Sequence, residues 1–216
     1  RGLGDVYKRQ LLIGVFRTAP KAKNKFLAGC QTAFGWFLNV YIEIFRGTPM
    51  IVQSMVIFYG SAQAFNISLD RTWAAIFIVS INTGAYMSEI VRGGILAVDP
   101  GQFEAATALG MTHGQTMRKV VLPQVVRNIL PATGNEFVIN IKDTSVLNVI
   151  SVVELYFTGN TVATQNYQYS PTFTIIAVIY FVLTFTITRI LRYIERRLDS
   201  DTYTTGANQM QVNEVK

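Results

Sequence analysis

Two stretches of this chain, Thr72 to Ser88 and Pro171 to Thr188, run without a single charged side chain. Each is close to the roughly 20 apolar residues that a helix needs to cross a bilayer. Charged residues flank both: Arg71 and Glu89 to Arg92 bound the first, and Arg189, Arg192, Arg196 and Arg197 follow the second. A chain with such segments must satisfy its backbone in lipid, which leaves helices or a closed barrel, and the uncharged runs are helical in length. Only 15% of the residues are charged, against about 25% in an ordinary soluble domain. The net charge of +6 would by itself suggest nucleic acid. The basic residues, however, fall in short groups between apolar segments, so membrane orientation explains them and no nucleic-acid partner is expected.

Two further apolar stretches are interrupted. Phe26 to Phe65 is broken by Glu43, Arg46 and Gly47-Thr48-Pro49, and reads either as two spans in a hairpin or as one long helix kinked at Pro49. Gln124 to Ile150 contains Asn128, Pro131, Gly134, Asn135, Glu136, Asn140, Lys142 and Asp143. A helix that polar cannot face lipid all round; it lines something wet or packs on protein. Ser151 to Ser170 reads as a loop. If 26–65 is one kinked element and the C-terminus is inside, three basic groups lie inside: Arg17 to Lys25, Arg92 to Arg127, and Arg189 to Arg197. Only Arg71 and Lys142 then lie near outer ends, a positive-inside pattern. That favours the kinked element and four spans. Residues 1–10 read as a non-native leader, Leu11 to Phe16 as the tail of a first span, and 199–216 as a polar cytoplasmic tail.

Asp99 to Pro123 is the longest polar interruption, and it reads as two short helices around a tight corner. Asp99 can cap the first helix and Pro100 suits its first position, with Gln102 placed to reach back. Gly110 sits where a chain leaves a helix with positive φ. Thr112-His113-Gly114-Gln115 has capping-box spacing, and the second helix is expected to end at Leu122 because Pro123 cannot continue it. Ala105, Ala106 and Ala108 keep the first helix slim. The bland reading of this knob is an amphipathic pair capping a bundle.

The spacing Glu104-Ala105-Ala106, three residues, Gly110, nine residues, Val120, one residue, Leu122-Pro123 resembles the EAA loop of ABC-importer permeases, which usually have Ile where Val120 stands. FRGTPMIVQ (45–53), NTGAYMSEIVRGGI (82–95) and GNEFVINIKDTSVLNVISVVEL (134–155) are similar to the histidine/glutamine-type branch of polar-amino-acid permeases. The likeness runs from about Leu11 to Leu198. It implies an all-α polytopic bundle with the type I importer, MetI-like, transmembrane fold over 11–198, in the bacterial cytoplasmic membrane. It implies that Glu104, Ala105, Ala106, Gly110, Leu122 and Pro123 couple the membrane domain to a separate ATPase; the Glu104 carboxylate can also hold the loop by pairing with a nearby Arg or Lys, such as Arg118 or Arg127. It also implies a second permease subunit, two ATP-binding subunits that carry the ATP, an extracytoplasmic solute-binding protein and an amino-acid substrate.

Other residues carry alternatives. Asn135, Glu136, Asn140, Lys142, Asp143 and Thr144, faced by Asn82 and Thr83, offer acceptors and donors for a zwitterionic solute; equally they serve as polar glue or gate contacts between helices. Glu43 with Arg46, and Glu89 with Arg92, have i, i+3 spacing for structural pairs, beside the Gly47 and Pro49 break. Gly93-Gly94 suggests close packing or a helix exit. Cys30 is the lone cysteine and His113 the lone histidine, which leaves no internal disulfide and no cysteine-based metal site. No G-x-x-x-x-G-K occurs, so no P-loop and no ATPase site is expected on this chain. The competing class is an ion-coupled carrier or channel, which would explain the polar span but leaves the capped knob without a purpose.

Overall fold

A computed structural model describes residues 25–199. The leader, the remnant of a first span and the polar tail proposed from the sequence lie outside the described residues. Among the described residues every regular element is helical, without strands: α1 (Lys25–Gly47), α2 (Met50–Phe65), α3 (Arg71–Leu96), α4 (Pro100–Ala108), α5 (His113–Thr116), a π-helical stretch (Met117–Val121), α6 (Leu122–Asp143), a 3-10 stretch (Thr144–Ile150), α7 (Leu155–Asn166) and α8 (Tyr169–Asp199).

Helix α3 is the axis of the bundle. Over its most apolar window 56% of residues are buried, against 6% for α8, so α3 is a protein-facing span and α8 a peripheral one. The cause is side-chain size. Ala74, Ala75, Gly84, Ala85, Ser88 and Gly94 are all buried on α3. Between helices in lipid, transfer of apolar surface contributes little, so close backbone approach and dispersion carry the association. Both α1 and α2 pack on α3, and α6 packs along it. The α3–α6 pair is antiparallel: Thr83 meets Asn140 near one end, and Gly94 meets Ile129 and Val125 near the other.

The stretch 26–65 is neither one continuous helix nor a packed hairpin. It breaks at Gly47–Pro49 into α1 and α2, each of which rests on α3. Gln53 closes the break by donating from Nε2 to the carbonyls of Phe45 (2.9 Å) and Thr48 (2.8 Å). Pro49 supplies no amide, and its neighbourhood would otherwise leave carbonyls without donors in lipid.

Two expectations are corrected. The second loop helix does not end before Pro123: helix runs on from His113 to Ile150, with Met117–Val121 wound as a π turn just ahead of Leu122-Pro123. The wider turn absorbs the amide and the space that proline would break. Pro131 likewise lies inside α6 without ending it. Ser151–Ser170 is not a loop: Leu155–Asn166 forms α7, bent 54° from the preceding run. Its start is stabilised by Glu154, whose carboxylate accepts from the Tyr156 and Phe157 amides and, at 3.0 Å, from the Tyr180 hydroxyl of α8.

By length and hydropathy α3 and α8 each suffice to cross a membrane, and the bent run from His113 to Asn166 qualifies as a third span; α2 is apolar but shorter. The stretch 26–65, expected as a fourth span, is two helices, and neither of them is long and apolar enough by the same measure.

Candidate functional site

The loop between α3 and α6 is fastened at every terminus. Asp99 accepts from the Gly101 amide at 2.7 Å, with Pro100 leading α4. At the other end Gly110 takes φ +73°. Its amide donates to Thr107 O, and that of Met111 to Ala106 O, the two bonds of a Schellman closure. Thr112 and Gln115 then form the reciprocal capping box. Gln102 does not reach back to its own helix; its Oε1 lies 3.5 Å from Gln124 Nε2 of α6.

The loop is also continuous with the membrane helices. Val98, Met117 and Val121 share one buried cluster with Val91 and Ile95 of α3 and with Val125 and Ile129 of α6, and Phe103 of α4 packs against it. Ala106 is buried while Ala105 and Ala108 are exposed, so the slim face of α4 is half used internally. Glu104 is exposed and makes no ion pair among the described residues, which corrects the expected partnership with Arg118 or Arg127. Leu109, at the corner, is 81% exposed. Sequence reading passed over it, although a leucine just before a helix-ending glycine is a visible signal.

The polar candidates on α6 are only partly gathered. Glu136, Asn140 and Asp143 are spaced i, i+4 and i+7 and so share one stripe, whereas Asn135 and Lys142 lie on another. Asn140 donates to Glu136 O (3.0 Å) and accepts from Thr83 Oγ1 (3.1 Å), so Thr83 joins this stripe. Asn82 turns the other way, donating to Gln53 Oε1 of α2 at 2.9 Å. Thr144 donates to Ile141 O within its own turn. Asn135, Lys142 and Asp143 are exposed, and Glu136 and Asn140 are half-buried.

At the opposite end of α3 the charges form a different set from the one expected. Arg92 meets Glu89 at 2.9 Å, as the spacing suggested. Arg46 ignores Glu43 and reaches Glu89 across helices at 3.7 Å, its guanidinium 5.5 Å from the Tyr86 ring centre. The less exposed carboxylate thus collects both cations, while Glu43 stays on the surface. Gly47 and Pro49 flank the break beside it. Gly94 is a close-packing glycine; Gly93 has open space. His113 and Cys30 are exposed, and no group of acidic, histidine and cysteine residues suited to a metal occurs among the described residues.

This arrangement of helices is shared with known proteins. Residues 26–200 match the family described as "Binding-protein-dependent transport system inner membrane component". The chain belongs to that family. It is 40% identical over 197 residues to the glutamine transport system permease protein GlnP of Escherichia coli strain K12, covering 88% of this chain and 90% of that one. A crystal structure of an amino acid ABC transporter with histidines superposes with a TM-score of 0.74 at 39% identity, covering 89% of this chain and 86% of that one. The MetNI methionine ABC transporter in an inward-facing conformation shares the fold, with a TM-score of 0.70 at 18% identity and 89% and 87% coverage. The permease is therefore a multi-pass, all-α membrane subunit of the type I ABC-importer class.

Proposed function

We propose that this permease is one of two membrane subunits of an ATP-driven importer of polar amino acids, with its C-terminus in the cytoplasm. Two separate ATPase subunits bind inside, one of them against residues 99–123 of this chain, and an extracytoplasmic binding protein delivers the solute. The observation that carries the coupling role is the single buried cluster joining Phe103, Met117 and Val121 to Val91 and Ile129. A push on α4 has no soft joint in which to dissipate, because caps hold its ends and the cluster ties it to α3 and α6. ATPase closure therefore moves the loop and both helices as one body. Exposed Glu104, Ala105 and Leu109 form the docking face, and Gly110 sets its corner; Leu122-Pro123, beside the π turn, start the span that the loop drives.

The stripe Glu136, Asn140 and Asp143, with Thr83, forms part of the pathway wall, and Lys142, Asn135, Asn82 and Thr144 surround it. The relatives' differing solutes, glutamine in one and histidine in another, support a polar amino acid as the class. The test is Gly110→Trp in the assembled transporter. The expected outcome is ATP hydrolysis detached from uptake, with weakened ATPase association; undiminished coupling would favour a self-sufficient carrier.

A further inference from the structure

The hairpin of α7 and α8 turns on a bulky residue held in a conformation that such residues avoid. Tyr167, which closes α7, takes φ +55° and ψ +22° and is 84% exposed. Left-handed backbone suits glycine and, less readily, asparagine; for a large aromatic residue it is an outlier. Among the described residues the other two non-glycine positions with positive φ, Asn66 and Ser151, carry small side chains. The hairpin that presents Tyr167 is stiff. Tyr156 packs on Phe173 with ring centres 5.7 Å apart, and Glu154 accepts from the Tyr180 hydroxyl. Gly159 lies so close to Ile176 that a Cβ there would collide with Ile176 Cδ1. A fixed scaffold thus holds the strained residue in place.

Position and composition narrow what meets it. Ile150 packs with Ala74 and Ala75 at the start of α3, the end of the bundle opposite the capped loop. Glu154 follows shortly after and sits beside Tyr180. Helix α8 begins at Tyr169, roughly 16 Å further from that loop at 1.5 Å per residue. The tip carries Tyr167 and Tyr169 among Gln165, Asn166 and Gln168, all exposed, and Glu154 is the only charged residue from 144 to 188. A neutral surface of rings and carboxamides offers no ion pair to a phosphate or to a charged protein. It suits an apolar pocket rimmed by hydrogen-bonding groups, where tyrosine is a favoured anchor. A bilayer interface also accepts tyrosine, but it is uniform around the helix and sets no demand on the direction of one side chain. A protein pocket does, and such a target accounts for a strained backbone that aims the ring. The family's description as binding-protein-dependent supplies such a partner. On the importer function proposed above, on which this rests, we propose that Tyr167, with Tyr169 and the flanking amides, is the anchor on which the extracytoplasmic solute-binding protein docks.

The test is ATP hydrolysis by the assembled transporter in lipid nanodiscs, titrated with its purified solute-binding protein loaded with amino acid. In Tyr167→Gly the backbone strain goes with the ring. The half-saturating concentration of binding protein is expected to rise about tenfold while the rate at saturation holds. The thermal midpoint of the transporter should hold or rise. A merely structural tyrosine would leave the half-saturating concentration unchanged, and that result overturns the proposal. So does a rise matched by a thermal midpoint that falls in nanodiscs but not in detergent, which assigns the ring to the bilayer interface. Should Tyr167→Gly impair assembly, Tyr167→Asn, which also accepts this backbone, decides it by the same two readouts. Hydrolysis by the unaltered transporter that ignores the binding protein would overturn the importer function itself. Equal stimulation of the unaltered and Tyr167→Gly transporters overturns the docking surface alone.

Discussion

Gly94 of α3 lies so close beneath Ile129 of α6 that a methyl group in place of its hydrogen would stand 2.2 Å from Ile129 Cγ2 and 3.2 Å from Val125 Cγ1. That contact sits inside the cluster joining the loop to the spans. Gly94→Ala should therefore force the helices apart and lower stability by about 1–3 kcal/mol, the usual range for overpacking. Gly93→Ala is the control, since nothing lies within 4 Å of a Cβ there, and it should be neutral or slightly stabilising through helix propensity. Thermal midpoints of the detergent-solubilised transporter would check both, and equal effects would contradict the packing described.

Leu109 exposes most of its side chain at the loop corner. Burying a leucine contributes roughly 1.5–3 kcal/mol, so Leu109→Asp should weaken ATPase association by roughly tenfold or more. The permease itself should keep its melting behaviour, because the residue touches none of the buried cluster. Co-purification and titration with the ATPase subunit would measure this.

Among the described residues, Thr83 and Asn140 form the one side-chain hydrogen bond from α3 to the polar stripe of α6. A double-mutant cycle with Thr83→Val and Asn140→Leu should give a coupling near 0.6 kcal/mol, typical of hydrogen bonds between membrane helices. Uptake and stability should be read together. A pure glue role would show in stability alone.

Asp143, exposed on the same stripe, offers the cleaner functional probe. Asp143→Asn preserves size and removes the charge, so assembly should be unchanged while uptake falls severalfold. Unaltered uptake kinetics in reconstituted vesicles would assign the stripe to packing.

Glu154 links α7 to α8 by capping one and accepting from Tyr180 of the other. Glu154→Ala should cost about 1 kcal/mol for the cap and more for the stranded Tyr180 hydroxyl. Tyr180→Phe should cost less, because the cap survives. Denaturation of the purified transporter would rank the two.

The fate of Pro123 shows where local reading stops. Nothing near it in the chain announces a π turn; that turn forms because Val121 and Val125 must both reach the α3 cluster while proline withholds its amide. The α7 helix was missed for a related reason. Its stretch is polar and glycine-containing, and its start depends on Glu154, which is held in turn by Tyr180 far along the chain. Arg46 chose Glu89 over its helical neighbour Glu43, a choice made by the break at Gly47–Pro49 and invisible to i, i+3 spacing.

What the chain alone determined was everything set by short-range chemistry and by lipid as solvent: helical class, the uncharged spans, the caps at Asp99 and Thr112, and the left-handed corner at Gly110. These follow from backbone satisfaction within a few residues. Only the tertiary structure decided which small residues face which helix, that Asn82 turns toward Gln53 while Thr83 turns toward Asn140, and that the loop shares its core with α3 and α6. Those outcomes depend on packing between segments distant in sequence, where in lipid no hydrophobic transfer dictates the pairing and close fit selects it.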